Sequence, residues 1–342
     1  MSLFLIIFSS ILIIFLINQY FVKKKILSNY NGQKHQKFTA QRQVPLTGGI
    51  FLSVFSIILF FNYDKLFCFF FVSVFLIGLA SDAKYLSSPK VRLLLQCLSL
   101  STFSYFVELN IGPTRIYFLD LFLENFVFSI IFSTFCLLVV MNGTNFIDGL
   151  NGLVLTYYLM ILLIILKFGF HNNIFYYGES IKLLIFFIFI LLIFNLADKF
   201  YLGDSGAYLI SFIVSILLIN IYQSNQSISP FFIILLLWYP CFENLFSIVR
   251  KFKIKRSPII ADHKHLHQLL FNFLQKKFKL KKIYSNNITS FMILSYNFII
   301  FNLSILNIYN TQFQISLILL NVIIYTFIYL RLFNYFYNFN SK

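Results

Sequence analysis

Charge is what this sequence has least of. Only 11% of its 342 residues are Asp, Glu, Lys or Arg, against about 25% in soluble domains. With 59% hydrophobic residues and 48 phenylalanines, a soluble domain of this length could not cover its own apolar surface. Water is therefore excluded as the solvent of most of the chain. Cysteine is also scarce. Cys68, Cys97, Cys136 and Cys241 each stand alone in an apolar run, with no CxxC pair, which reads as four core thiols rather than a thiolate metal framework. The first apolar run has no basic stretch before it and no small-residue cleavage site after it, only Lys23, Lys24 and Lys25. It is expected to be a retained span rather than a removed leader. Long linkers and internal repeats are missing too.

What the chain has instead is repeated solid apolar stretches of about 15–22 residues, the length a helix needs to cross a bilayer core. Closed barrels would show weak alternation. The sequence predicts an all-α polytopic membrane protein, one transmembrane domain over 1–342. It has eleven spans: Ser2–Val22, Leu46–Phe61, Leu66–Ala80, Leu93–Val107, Asn125–Met141, Leu153–Lys167, Ile181–Phe194, Ala207–Tyr222, Pro230–Val249, Asn287–Leu306 and Thr311–Leu330.

Eleven spans put the segments near 23–45, 81–92, 142–152, 195–206 and 250–286, with the C-terminus, on one side. That side holds 23 of the 27 Lys and Arg residues; Lys65, Arg115, Lys167 and Lys182 lie on the other. By the positive-inside rule the basic side is cytoplasmic, with the N-terminus outside and the C-terminus inside. The net charge of +16 then follows from topology and attraction to anionic headgroups. No soluble basic domain is left to bind nucleic acid.

The 11 acidic residues are few enough to inspect singly. Asp64, Glu108, Asp120, Glu124 and Glu179 fall in outer loops and read as solvated. Asp82, Asp148, Asp198, Asp204 and Asp262 fall on the basic side, with Glu243 near the inner end of the ninth span. Distant carboxylates gathered at span ends on one face are how a polytopic bundle assembles an interfacial site.

In "NGTNFIDGLNGL", Asn142, Asn145 and Asp148 recur every third residue and would form one polar stripe on a helix. The bland alternative is a polar cap between two spans. In "LGDSGA", Asp204 either caps the following helix or offers a hard oxygen to Mg²⁺ or Mn²⁺ beside a phosphate. In "PLTGGI", Gly48 and Gly49 either admit a phosphate to backbone N–H groups or form a packing notch. In "ADHKHLHQLL", His263, His265 and His267 would share a face if extended, whereas on a helix only His263 and His267 align. Metal binding, anion binding with Lys264 and a solvated basic loop all remain open for it.

Taken in order, these segments resemble the polyprenyl-phosphate N-acetylhexosamine-1-phosphate transferases, over Arg42 to Leu270. Ser81, Asp82, Leu86, Ser87, Lys90, Arg92 and Gln96 follow the family's motif after the third span. Asn142, Asn145, Asp148, Gly149, Gly152 and Leu153 match its nucleotide-sugar motif. Gly203, Asp204 and Gly206 match its metal motif, and Asp262, His265 and His267 its last cytoplasmic motif. Glu243 occupies its usual acidic position.

The resemblance implies transfer of a sugar-1-phosphate from a UDP-N-acetylhexosamine to undecaprenyl or a similar polyprenyl phosphate, with UMP released. It places the enzyme in the bacterial cytoplasmic membrane, needing Mg²⁺ or Mn²⁺. Asp204 would hold the metal, with Asp82, His265 and His267 as further catalytic residues. Asn142, Asn145, Asp148, Lys90, Arg42 and Lys264 would bind substrate. The span count agrees with the GlcNAc-1-phosphate branch, and a homodimer is left open. Two positions depart from the pattern. Ser81 replaces the first of two adjacent Asp, which weakens a general-base step, though a phosphomonoester with a second pKa of about 6 needs little help to ionise. Asp82 is left to supply the remaining contact. Gln268 replaces a His and could bond a phosphate without carrying charge. A transporter would instead place its acids at the membrane midplane, and a degenerate homologue would bind the lipid without turnover.

Overall fold

The computed structural model describes residues 3–28, 44–61, 65–169, 178–253, 255, 257 and 264–337. Every one of the eleven apolar stretches is helical. In chain order the helices are α1 Leu3–Lys24, α2 Gly48–Phe60, α3 Lys65–Asp82, α4 Pro89–Phe106, α5 Tyr117–Leu123, α6 Phe126–Ile147, α7 Leu153–Lys167, α8 Gly178–Leu196, α9 Gly203–Ser224, α10 Pro230–Leu236, α11 Trp238–Lys253, α12 Leu266–Phe278, α13 Lys282–Ile305 and α14 Thr311–Tyr337. Five of them (α3, α6, α9, α13 and α14) are by themselves long and apolar enough to cross a membrane. The stretch read as one ninth span is two helices, α10 and α11, bent by 76° at Leu237; counted as one span, they make a sixth. Helices α2 and α7, and Ser180–Leu196 of α8, are equally apolar but shorter.

Helix α9 is the axis. It is apolar on all faces and buried along most of its length, the pattern of a helix enclosed by others. It packs on α3, α6 and α2; α4 leans on α3 and α6, α11 on α6, and α12 on α13 and α14. Among lipids, helices hold together by close contact rather than by escape from water, and the phenylalanines supply much of it. Phe212 of α9 stacks on Phe67 of α3 at 5.7 Å and meets Phe103 of α4 edge-on at 5.0 Å, each pair contributing about 0.5–1.5 kcal/mol beyond burial.

At the start of α9 the approach is closer still. A methyl group on Gly49 of α2 or on Gly78 of α3 would strike the backbone of Ser205 or its neighbour. Only small residues allow three helices to meet there. The Gly48 and Gly49 N–H groups donate to the carbonyls of Tyr201 and Leu202, both at 3.1 Å. This overturns the phosphate alternative for that pair: the donors are already used, and the glycines are a packing notch.

The opposite end of the bundle is tied by Arg115. Its guanidinium donates to the carbonyls of Gln226, Ser227 and Ile228 (each 2.9 Å) and of Tyr309 (3.2 Å), and to the Thr311 hydroxyl (2.8 Å). One side chain thus joins the connection before α5 to those before α10 and α14. Arg115→Ala should destabilise the fold by about 2 kcal/mol, read as an earlier thermal transition in the fluorescence of the single tryptophan, Trp238.

Candidate functional site

The site forms where α3, α6 and α9 meet the N-termini of α4 and α12. Gly203, with φ +75°, turns the chain into α9 and leaves the first N–H groups of that helix facing the end of α3. There the Asp82 carboxylate accepts from the backbone N–H of Asp204 (2.8 Å) and Ser205 (3.0 Å) and from the Ser205 hydroxyl (2.6 Å). A carboxylate at a helix N-terminus is favoured by the helix dipole as well as by these bonds. Asp82 was expected to contact substrate; instead both its oxygens are committed to holding α9. Of the two roles the sequence left open for Asp204, the cap is thus supplied from another helix, and the Asp204 side chain is released.

That side chain faces α3 and α4. Asp204 Oδ2 accepts from the Ser81 hydroxyl at 2.6 Å and from Arg92 at 2.7 Å, and the same Arg92 nitrogen donates to Ser81 Oγ at 2.7 Å. Ser88 and Pro89 start α4, proline being well suited to the first helical position. This places Arg92 one turn in, back over Ser81. Arg92 is a site residue that sequence reasoning left inside a motif without a role. Lys90, expected to bind substrate, is exposed on the first turn of α4.

The polar stripe is present: α6 runs to Ile147 and Asp148 caps its end. Asn142 donates to Gln96 of α4 and Asn145 to the Tyr208 hydroxyl of α9, both at 3.1 Å. Asp148 accepts from the Gly203 N–H, and burial, then the Asp204 and Asp82 carboxylates, push it up to about 8. The glycine-rich turn after it is braced by residues the sequence gave no reason to choose. Asn195 accepts from the Gly152 N–H (2.7 Å), Asn286 from the Asn151 N–H (2.9 Å), and Asp198 from the Asn151 side chain (2.6 Å).

"HKHLHQLL" resolves as a boundary. His265 is extended, and α12 begins at Leu266, so the segment is neither wholly strand-like nor wholly helical. His265 Nδ1 pairs with Glu243 of α11 at 2.9 Å, and its ring lies 5.0 Å from that of Phe146, within the asparagine stripe. His267 was expected to be a catalytic residue. It is 1% exposed, and burial pulls its imidazole down to about 3 against the opposing Glu243 carboxylate, so the ring is neutral. Its two nitrogens have no hydrogen-bond partner among the described residues, and Nε2 lies against Gly149. Gln268, the other departure, accepts from the His265 backbone N–H at 3.3 Å. Its amide oxygen thus caps the start of α12. The Lys264 ammonium stands over the rings of Phe333 (5.3 Å) and Tyr337 (4.4 Å). Arg42, Asp262 and His263 lie outside the described residues.

A divalent cation suits this cluster in one way only. Among the described residues no three His, Cys, Asp or Glu side chains could hold an ion between them. Mg²⁺, however, is usually bound by one or two carboxylates plus waters and substrate phosphates. Asp204 Oδ1 takes no hydrogen bond among the described residues, and the crowding of carboxyl groups that raises Asp148 is what a cation on Asp204 would relieve. Asp204 is the side chain that could take the ion.

Two comparisons bear on this arrangement. The sequence profile of the family described as "Glycosyl transferase family 4" matches residues 65–222. That range includes Asp82, Arg92, the asparagine stripe and Asp204, and leaves out Glu243, His265 and His267. The undecaprenyl-phosphate alpha-N-acetylglucosaminyl 1-phosphate transferase of Thermotoga maritima is 28% identical over 235 residues, covering 67% of this chain and 68% of that protein. The motifs stand in family order and their side chains converge at one end of the bundle, and both comparisons support kinship with the polyprenyl-phosphate hexosamine-1-phosphate transferases.

Proposed function

We propose that this protein transfers N-acetylhexosamine-1-phosphate from a UDP-sugar to undecaprenyl phosphate or a similar polyprenyl phosphate. The reaction runs at the cytoplasmic face of a bacterial inner membrane, and the chain crosses that membrane eleven times with its N-terminus outside. The observation that carries the reading is Asp204. Its carboxylate is freed from capping α9 by Asp82 and set among Arg92, Ser81 and the Asn142–Asp148 stripe. The Thermotoga relative's name supports GlcNAc as the sugar. The concentration of Lys and Arg in the loops at this end supports the cytoplasmic face.

In the reaction a lipid-phosphate oxygen forms a bond to the sugar-bearing phosphorus, and the bond from that phosphorus to the bridging oxygen breaks, so UMP leaves with that oxygen. Two anionic substrates must meet, and the main task is positioning and charge cancellation. Mg²⁺ or Mn²⁺ held by Asp204 would neutralise phosphate charge as it shifts. Arg92, already on Asp204, adds a fixed cation. Asn142 and Asn145, together with the neutral buried His267, offer donors and acceptors to the nucleotide sugar. No strong base is required, since a phosphomonoester with a second pKa of about 6 is mostly dianionic near neutral pH. This is consistent with Ser81 in place of an acid and with Asp82 committed to α9.

The test uses purified protein with UDP-GlcNAc, undecaprenyl phosphate and Mg²⁺, followed for UMP. Release is expected, and it should stop on chelation and return with Mg²⁺ or Mn²⁺. Silence with every UDP-N-acetylhexosamine would refute the transferase reading and leave lipid binding without turnover. Release unaffected by chelator would remove the metal from it.

A further inference from the structure

Glu243 has one of the most buried carboxylates in the chain, 1% exposed, and three donors converge on it. Oε1 accepts from His265 Nδ1 at 2.9 Å and, at 3.4 Å, from the Leu266 backbone N–H. Oε2 accepts from the Tyr325 hydroxyl of α14 at 2.7 Å. Three donors on two oxygens is the pattern of an ionised carboxylate. Burying such a charge is unfavourable even when it is paired, and an apolar side chain of similar volume would often pack as well.

The same end of α14 holds the chain leading to His265. Tyr325, Tyr329, Phe333 and Tyr337 recur every fourth residue, with consecutive ring centroids 6.2, 5.9 and 4.7 Å apart. Arg250 donates to the Tyr329 hydroxyl at 2.6 Å and to the Lys264 carbonyl. Lys264 covers the last two rings. The segment entering His265 is therefore anchored on α14, its backbone N–H is held by Gln268, and its ring is held by Glu243.

We infer that Glu243, backed by Tyr325, is a positioning residue that fixes the tautomer and orientation of His265, making the last helix a working part of the active site. A carboxylate can only accept, so Nδ1 carries the proton, and a neutral ring then has Nε2 as its basic atom. The ring so fixed stands against Phe146, the residue after Asn145 on α6. The catalytic consequence rests on the transferase reading above; the fixing of the ring does not.

Two measurements on the full chain separate these layers. The first is the imidazole nitrogen spectrum of histidine-labelled protein without substrate, with His265 assigned by its loss in His265→Gln. Wild type should show the Nδ1-protonated tautomer, and Glu243→Gln and Tyr325→Phe should shift the balance or broaden it. A His265 signal identical in all three would overturn the proposal. The second is kinetic. Glu243→Gln should lower kcat about 10–100-fold, the range for lost outer partners of site histidines, with KM for the UDP-sugar changed less than about twofold. Tyr325→Phe, which loses one hydrogen bond, should lower kcat about three- to tenfold; it stands in if Glu243→Gln does not fold. Unchanged kcat in a folded variant would overturn the catalytic role. Should wild type release no UMP, the transferase reading fails, and the nitrogen spectra still decide whether Glu243 sets the ring.

Discussion

Asp204→Asn is expected to cut UMP release by about a thousandfold or more while leaving the fold intact. The substitution keeps the shape and one acceptor oxygen but removes the charge that would hold a divalent cation and pair with Arg92. Loss of one well-placed electrostatic group commonly lowers kcat by about 10²–10³, and here the cation and the orientation of Arg92 go together. Stability should change little, since the Asp204 side chain is 24% exposed and does not cap α9. The checks are UMP release at saturating UDP-sugar and the thermal transition followed at Trp238. Activity within about tenfold of wild type would refute Asp204 as the ion's ligand.

Asp82→Ala should do the opposite in stability and the same in activity. It deletes the acceptor of three donors and the charge at the N-terminus of α9. Leaving buried donors without their acceptor costs about 1–3 kcal/mol, so a thermal transition lowered by several degrees is expected, with UMP release lost because Asp204 moves with the helix. Asp82→Asn, which keeps one acceptor, should fall between. A variant that loses activity at an unchanged melting temperature would show Asp82 to be a chemical participant rather than a clamp.

The contrast between these neighbours marks how far the sequence could be read. The spans were legible because lipid leaves helices no other composition, and the Asn142–Asp148 stripe was legible because a three-residue period states its face. The job of Asp82 was not, since its partners are backbone groups of a helix 122 positions away, and nothing in "LASDAK" names them. For the same reason the sequence left Gly48 and Gly49 as either a phosphate cradle or a packing notch, and the Tyr201 and Leu202 carbonyls on their N–H groups decide for the notch. His267 lies in a basic stretch of sequence, which does not show its burial; that is decided by helices that are not its neighbours. The break at Leu237 lies inside the stretch 231–239, which holds no charged or amide residue to mark it. Glu243 was noticed only as a matching position, because Tyr325 and His265 reach it from separate segments.

The seam at Ser205 has one more consequence. Gly49 and Gly78 meet α9 without a side chain between them, so the spacing of Asp82 and Asp204 is set by main chain against main chain, with no rotamer in series. Like a bearing machined without clearance, such a contact passes on little thermal play, and the Asp204 carboxylate is held in place before any ligand arrives.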